Sequence, residues 1–130
     1  MAAPNFSVSG RVTDAASAVC DADCPVRASL AVLGTKWALL IVRDLLGGPR
    51  RFGELLVSVS GISAKVLTDR LRELEACGVV RREVRSGGPV RVVYSLTEQG
   101  RDLRQVIDAL GAWGAGLPGR TLSRVPAGVR

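Results

Sequence analysis

Three cysteines are the side chains of this sequence best suited to redox or nucleophilic chemistry: Cys20, Cys24 and Cys77. Cys24 precedes a proline that can begin a helix, so its thiol would lie at the positive end of that helix, which favours the thiolate. The negative charges of Asp21 and Asp23 disfavour the thiolate. Cys24 is therefore either a sensor thiol or an incidental cysteine, and Cys20 could serve as its resolving partner if the leader is flexible.

Metal binding and enzymatic chemistry have little support in the residue inventory. The sequence has no histidine, which excludes histidine-based triads, histidine acid–base chemistry and imidazole metal ligands. The cysteines lack a fourth ligand, and Cys77, at the end of a predicted helix, is expected to be buried packing. A thiol enzyme using Cys24 as nucleophile would lack a neighbouring base. We predict no catalytic site, no metal and no cofactor.

Size and charge favour one small domain with a polyanionic partner. The 130 residues include 18 Lys and Arg against 12 Asp and Glu, a formal charge of +6, and 47% of them are hydrophobic. The excess positive charge favours nucleic acid. The first residues lack the pattern of a signal peptide, and the longest apolar run, at 37–42, is too short to span a membrane. We expect a cytoplasmic protein without a membrane partner.

Glycines, prolines and capping residues divide the centre of the chain into short elements. A first helix is predicted from residue 25 to about residue 33, because Pro25 suits the first helical position. Thr35 can cap a second helix, which runs to the glycines at 47–48. A third helix is predicted over about 52–59. The predicted buried face of the second helix consists of Trp37, Leu40, Ile41 and Leu45.

A fourth helix has the best-defined start. Ser63 is a natural N-cap, and Ile62 before it can pack on the leucine at the fourth helical position. A buried stripe and a left-handed end at Gly78 are also predicted. The stripe consists of Leu67, Leu71 and Leu74. The opposite face, at 100° per residue, carries Lys65, Thr68, Asp69 and Arg72. That face is free for a partner.

Two valine-rich segments, 79–85 and 90–96, predict a β-hairpin, because Ser-Gly-Gly-Pro at 86–89 is a turn signal. The hairpin carries Arg81, Arg82, Arg85 and Arg91 against the single acid Glu83. Charges on an exposed strand can simply prevent edge pairing, but several arginines on one ribbon also suit phosphate binding.

A final helix, capped by Thr97, contains a narrow apolar seam. The seam consists of Leu103, Val106, Ile107, Leu110 and Trp113. Such a seam packs either on its own domain or on a second copy of the chain, and periodicity does not separate these two alternatives.

The order of these elements is typical of a winged helix-turn-helix. We therefore predict an α+β, mostly helical fold with a two-stranded β-wing and a C-terminal helix. Residues 24–115 form this domain, 1–23 a flexible or partly helical leader, and 116–130 a flexible basic tail. The residues predicted to contact DNA are Ser63, Ala64, Lys65, Thr68, Asp69 and Arg72 in the fourth helix, Arg50 and Arg51 before the third, and Arg85 and Arg91 in the wing.

Several motifs occur in an order that points to one family. They include Gly34-Thr35-Lys36-Trp37, the segments 48–55 and 67–75, and Tyr94-Ser95-Leu96-Thr97, and together they span about residues 24–114. In these motifs the chain resembles the HxlR-type members of the winged-helix regulators related to MarR. The resemblance implies a homodimeric bacterial regulator, expected to be a repressor, with the final helix in the dimer contact. It also implies that Cys24 occupies a position that some members use to sense oxidants or electrophiles.

The residue inventory limits how such a protein could read bases. The sequence contains only Asn5, Gln99 and Gln105 as side-chain amides, all outside the fourth helix, so bidentate amide readout of adenine is excluded there. We predict guanine contacts from Lys65 or Arg72, thymine methyl contacts from Ala64 or Thr68, and A·T preference from DNA shape at the wing. The alternative function is a winged-helix module that binds protein instead of double-stranded operator DNA.

Overall fold

The computed structural model describes residues 24–118, and the predicted leader and most of the predicted tail lie outside this range. The fold is the predicted α+β, mostly helical winged helix. Its elements are α1 (Pro25–Leu33), α2 (Lys36–Leu45), β1 (Arg50–Arg51), α3 (Phe52–Ser58), α4 (Ala64–Ala76), β2 (Val80–Arg85), β3 (Arg91–Leu96), α5 (Glu98–Arg101) and α6 (Arg104–Ala115).

The first two helices begin at the predicted caps, but the buried face of α2 differs from the prediction. Thr35 Oγ1 accepts a hydrogen bond from the backbone N–H of Ala38 at 3.3 Å. Trp37 and Leu40, predicted to be buried, lie half-buried at the margin of the core. The residues that are buried have the helical spacing i, i+3, i+4, i+7, whereas the predicted set ends at i+8. The buried set is Ala38, Ile41, Val42 and Leu45.

Both ends of α4 are closed by local hydrogen bonds. Ser63 Oγ accepts from the backbone N–H of Val66 at 3.1 Å, as predicted for an N-cap. Gly78 follows the helix with a φ of +81°, the left-handed conformation that glycine adopts without strain. The N–H of Val79 then bonds to the Leu74 carbonyl at 2.9 Å, and the N–H of Gly78 bonds to the Glu75 carbonyl at 3.1 Å. These two bonds form a Schellman motif, which fixes the direction of the chain into β2.

The sheet is antiparallel, with β3 in the centre. On one side, β2 pairs with β3 from Val80 opposite Leu96 to Arg85 opposite Arg91, and this hairpin is the predicted wing. On the other side lies β1, in which Arg50 is opposite Tyr94. This strand was not predicted, because two residues are too few to show a period of two.

The predicted single C-terminal helix is wrong, because the chain forms two helices separated at residues 102–103. Thr97 does act as a cap, and its Oγ1 accepts from the N–H of Gly100 at 3.0 Å. The N–H of Leu103 then bonds to the carbonyl of Gly100, three residues earlier, so the turn is tighter than an α-helix. Arg101 also donates to the Leu96 carbonyl at 3.0 Å, which ties α5 to the end of β3. The apolar spacing that predicted the helix begins only at Leu103.

One hydrophobic core joins α2, α3, α4 and the sheet. Its most deeply buried side chains are Ile41, Leu55, Leu67, Leu71, Leu74, Val42, Val59 and Val80. Leu103 and Ile107 of the α5–α6 segment pack against this core while staying partly exposed. In the part of the chain that the structure describes, no single helix is long and apolar enough to cross a membrane; only α1 and α2 together pass that test, and they are bent by 78°.

Candidate nucleic-acid interface

The exposed face of α4 lies directly opposite the leucines that anchor the helix. Leu67, Leu71 and Leu74 are each at most 2% exposed, so the helix cannot rotate without opening the core. Lys65 and Arg72 are exposed on the other side, as are the first-turn residues Ser63 and Ala64. The structure therefore presents a rigid polar helix face, as the sequence predicted.

Two of the predicted contact residues on this face form an ion pair. Lys65 Nζ lies 2.9 Å from Asp69 Oδ2, one helical turn away, and the two side chains are 83% and 37% exposed. The hydrogen bond from Lys65 holds the pKa of Asp69 below its usual value against an opposing effect of burial, and the positive charges of Lys65, Arg70 and Arg72 add to the lowering. Asp69 therefore remains a charged acceptor at neutral pH.

The two hydroxyl groups on this helix are each engaged with the backbone. Ser63 Oγ caps the helix, as described above, and it keeps its proton for donation to a partner. Thr68 is half-buried, and its Oγ1 donates to the Ala64 carbonyl at 2.9 Å. Its hydroxyl oxygen can still accept, and its methyl group can make an apolar contact.

Arg50 and Arg51, predicted to contact backbone phosphates, have different surroundings. Arg51 is exposed, and its backbone N–H donates to Glu54 Oε1 at 2.8 Å, so the residue helps to begin α3. Arg50 is half-buried, and its guanidinium donates to the Pro49 carbonyl at 3.2 Å. Arg51 is thus the more available of the two for a phosphate.

The wing carries its positive charge on exposed side chains. Arg81 and Arg82 are exposed, and Arg85 lies directly opposite Arg91 across the strand pair. Like charges in directly opposed positions destabilise a sheet. Glu83 relieves part of this repulsion, because its Oε1 lies 3.3 Å from Arg85 Nη2. A bound phosphate would relieve the remainder, so this geometry favours an anionic partner.

Comparisons with known proteins agree with this geometry. The model of the HxlR-like helix-turn-helix family matches residues 32–120. The chain belongs to the HxlR-like family. It is 41% identical to the transcriptional regulator YodB of Bacillus subtilis over 91 residues, which cover 69% of this chain and 81% of YodB. Members of this family are DNA-binding transcriptional regulators, and so is this chain.

Solved structures share the same fold. A structure from Porphyromonas gingivalis, assigned to the MarR family of transcriptional regulators, superposes with a TM-score of 0.71 at 36% identity, covering 75% of this chain and 96% of that one. The oxidised redox regulator HypR superposes with a TM-score of 0.66 at 41% identity, covering 72% and 97%. Other solved neighbours include reduced HypR and the reduced, diamide-treated and quinone-bound forms of YodB.

In this HxlR-like chain, the predicted apolar seam divides into two parts. Leu103 and Ile107 contact the core of their own domain. Val106, Leu110 and Trp113 are instead 41%, 46% and 69% exposed. Packing on its own domain, one of the two alternatives for this seam, therefore applies to only part of it.

Helix α1 adds to the exposed apolar surface and was not among the predicted site residues. Val26 and Leu30 are 54% and 58% exposed, and α1 contains no buried residue. Their spacing of four residues places both on one face of the helix. That spacing is the sequence signal for this apolar surface. We name Val26, Leu30, Val106, Leu110 and Trp113 the apolar face.

The structure describes two of the three cysteines, and Cys77 differs from its prediction. Cys24 is the N-cap of α1 and is 5% exposed, and it is disulfide-bonded, although a well-cored domain of this size needs no disulfide. Cys20, the suggested resolving residue, lies outside the described residues. Cys77, predicted to be buried packing, is exposed and free. It is the C-cap of α4, where the Schellman turn brings Val79 rather than Cys77 onto the core.

Proposed function

We propose that this protein is a homodimeric repressor that binds a pseudo-palindromic operator in double-stranded DNA. The observation that carries the proposal is the fixed geometry of α4, whose leucines are locked in the core while its polar face is exposed beside a wing of arginines. The major groove admits one α-helix, and phosphates attract the wing. Binding to chromosomal DNA would place the protein in the cytoplasm.

The residues divide into base-reading and phosphate-binding groups. Lys65 and Arg72 carry N–H donors for the O6 and N7 acceptors of guanine. Ala64 and the methyl group of Thr68 can make apolar contact with a thymine methyl. Ser63 and Arg51 are available to phosphates, and Arg85 and Arg91 extend the contact to the backbone or to a narrow minor groove. Arg50 contributes mainly positive charge, because its guanidinium bonds to its own turn.

The apolar face supports a dimer. It exposes large apolar side chains on two helices, including Trp113 at 69%, and burying such side chains against a partner would remove them from water. A second copy of the chain would cover it symmetrically and would place two α4 helices on successive turns of DNA, roughly 34 Å apart. Repression would follow from occupation of promoter DNA.

Cys24 supports control by an oxidant or an electrophile. It caps the helix that carries Val26 and Leu30, so a change in its sulfur chemistry acts at the apolar face. Formation of a disulfide from two thiols transfers two protons and two electrons to the oxidant, and only in the reduced protein would an electrophile such as a quinone add to the Cys24 thiolate. The reduced, oxidised and quinone-bound structures of YodB and HypR support this signal class. We propose a regulatory rather than a catalytic role for Cys24.

Selection of bound sequences from random duplex DNA, with oxidised and reduced protein, tests the proposal. We expect a symmetric operator and a difference between the two redox states. Arg85→Ala or Arg91→Ala should weaken binding and flatten log K against log salt by about 0.9 for each phosphate that is no longer bound. Lys36→Ala, which removes an exposed charge outside the proposed interface, should leave the slope unchanged. Negligible duplex affinity at low salt would instead support a protein-binding module.

A further inference from the structure

The carboxylate of Asp69 needs an explanation, because an acidic side chain on a DNA-facing helix repels phosphate. It lies on the same side of α4 as Lys65 and Arg72, opposite the buried leucines. Its Oδ2 accepts from Lys65 Nζ, and its Oδ1 accepts no hydrogen bond among residues 24–118. The ion pair therefore presents one donor and one acceptor side by side.

The major-groove edge of a base pair has the complementary arrangement. In a G·C pair, the O6 acceptor of guanine and the N4 donor of cytosine are themselves joined by a hydrogen bond of about 2.9 Å. The separation of Lys65 Nζ and Asp69 Oδ2 is 2.9 Å. A donor and an acceptor at this spacing can meet an acceptor and a donor at the same spacing, as two parallel bonds.

We propose that Lys65 and Asp69 act as one unit that reads the orientation of a single base pair in each half-site. Lys65 donates to the base with a keto oxygen, and Asp69 accepts from the amino group of its partner base. This inference rests on the proposed DNA contact of α4 and extends it from a preferred base to a preferred strand direction.

The unit predicts an order of preference among the four base pairs. With guanine under Lys65, a second ammonium proton can also reach N7, so G·C ranks first. Thymine offers O4 under Lys65 and its paired adenine offers N6–H under Asp69, so T·A ranks second. In A·T and C·G the amino group faces the ammonium and the keto oxygen faces the carboxylate. Both contacts are then repulsive, and these two pairs are rejected.

The charge state of Asp69 supports this reading. Lys65, Arg70 and Arg72 lower its pKa, so at neutral pH the group accepts hydrogen bonds and donates none. An amide at the same position would have both a donor and an acceptor. Replacing the carboxylate with an amide should therefore weaken the discrimination while conserving the shape of the side chain.

Asp69→Asn is the direct test, with Glu75→Gln as the matched control. Glu75 is exposed on the same helix and forms no ion pair in the described part of the chain, so both variants remove one negative charge. Both should bind non-specific duplex more tightly. Only Asp69→Asn should reduce the preference for G·C over C·G at one position of each half-site, by roughly tenfold. Sequence selection and competition titrations measure both effects.

The outcomes separate this inference from the proposed function. If the wild-type protein selects an operator and Asp69→Asn keeps the same orientation preference at every position, the inference is overturned while the DNA-binding proposal stands. If affinity falls equally for all sequences, Asp69 only positions Lys65, and the inference is again overturned. If the wild-type protein selects no operator, both fail. Asp69→Ala should reproduce the loss of preference without introducing an amide.

Discussion

Helices α4 and α6 carry similar apolar patterns but use them differently. The leucines of α4 are at most 2% exposed, whereas Val106, Leu110 and Trp113 of α6 are 41% to 69% exposed. The apolar side of α4 is fully covered by its own domain, so only its polar side is available to a partner. The apolar side of α6 is covered only in part, so its exposed apolar residues are available to a partner. Amphipathic spacing thus identifies a face that must be covered, but not what covers it.

The largest expected effect comes from a substitution among the exposed apolar residues of α6. Leu110→Glu places a charge in the apolar face and should yield monomers, because a buried unpaired charge is strongly unfavourable. A monomer binds only one half-site at a time, so operator affinity should fall by about 10²- to 10⁴-fold. Analytical ultracentrifugation and operator titration measure the two effects.

Val57→Glu provides the control for this experiment. Val57 is 81% exposed on α3, outside the apolar face, so the same charge should leave the dimer mass unchanged. A full dimer mass for Leu110→Glu would show that α6 is covered by something other than a second copy.

The next effect concerns the buried side of α4. Leu71→Ala should lower the free energy of unfolding by about 2–5 kcal/mol, because it leaves a cavity in a close-packed core. Leu30→Ala makes the same substitution at a leucine that is 58% exposed, and it should change stability by about 0.5 kcal/mol or less. Both should be measured by denaturant unfolding in the monomeric Leu110→Glu background. Equal losses for the two variants would contradict the contrast between α4 and the apolar face.

A smaller effect is expected where α5 joins α6 to the winged domain. A Cβ at Gly100 would lie 2.2 Å from the carbonyl oxygen of Val79, so Gly100→Ala should force the backbone apart and destabilise by about 1–3 kcal/mol. Gly53→Ala is the control, because nothing lies within 4 Å of a Cβ at that helical position. It should be neutral or stabilise by about 0.5–1 kcal/mol. Thermal unfolding of the two variants distinguishes a close contact from a general effect of alanine.

Sequence reasoning predicted most of the fold because its main signals are local. Caps such as Thr35 and Ser63 and the left-handed Gly78 act within a few residues, and the structure shows each of them in that role. Leu67, Leu71 and Leu74 were also placed correctly, since a 3.6-residue period specifies one face. The break before α6 was missed because its tighter turn, in which the N–H of Leu103 bonds to the carbonyl of Gly100, has no glycine or proline at 102–103 to mark it.

The candidate site was predictable as a set of residues but only in part as a set of interactions. The polar face of α4 and the arginines of the wing follow from spacing and charge. Lys65 and Asp69 have the i, i+4 spacing at which opposite charges meet on a helix, and this signal was available in the sequence. The opposition of Arg85 and Arg91 depends on strand register, and the bond of Arg50 to the Pro49 carbonyl depends on side-chain conformation. The participation of α1 in the apolar face likewise needed its exposure to be known.

The smallest effect concerns the exposed side of α4 and depends on pH. Because the pKa of Asp69 is lowered in the folded chain from its ordinary value of 3.8, its carboxylate stabilises the fold above that pH. This stabilisation is lost as the pH falls through the lowered pKa. The difference in Tm between wild type and Asp69→Asn should therefore be constant near neutrality and should shrink in acid. In a Lys65→Met background, which lacks the ammonium, the difference should be smaller at every pH above 3.8. The same difference with and without Lys65 would show that the ion pair does not form in solution, and α4 would then present two independent charges to DNA.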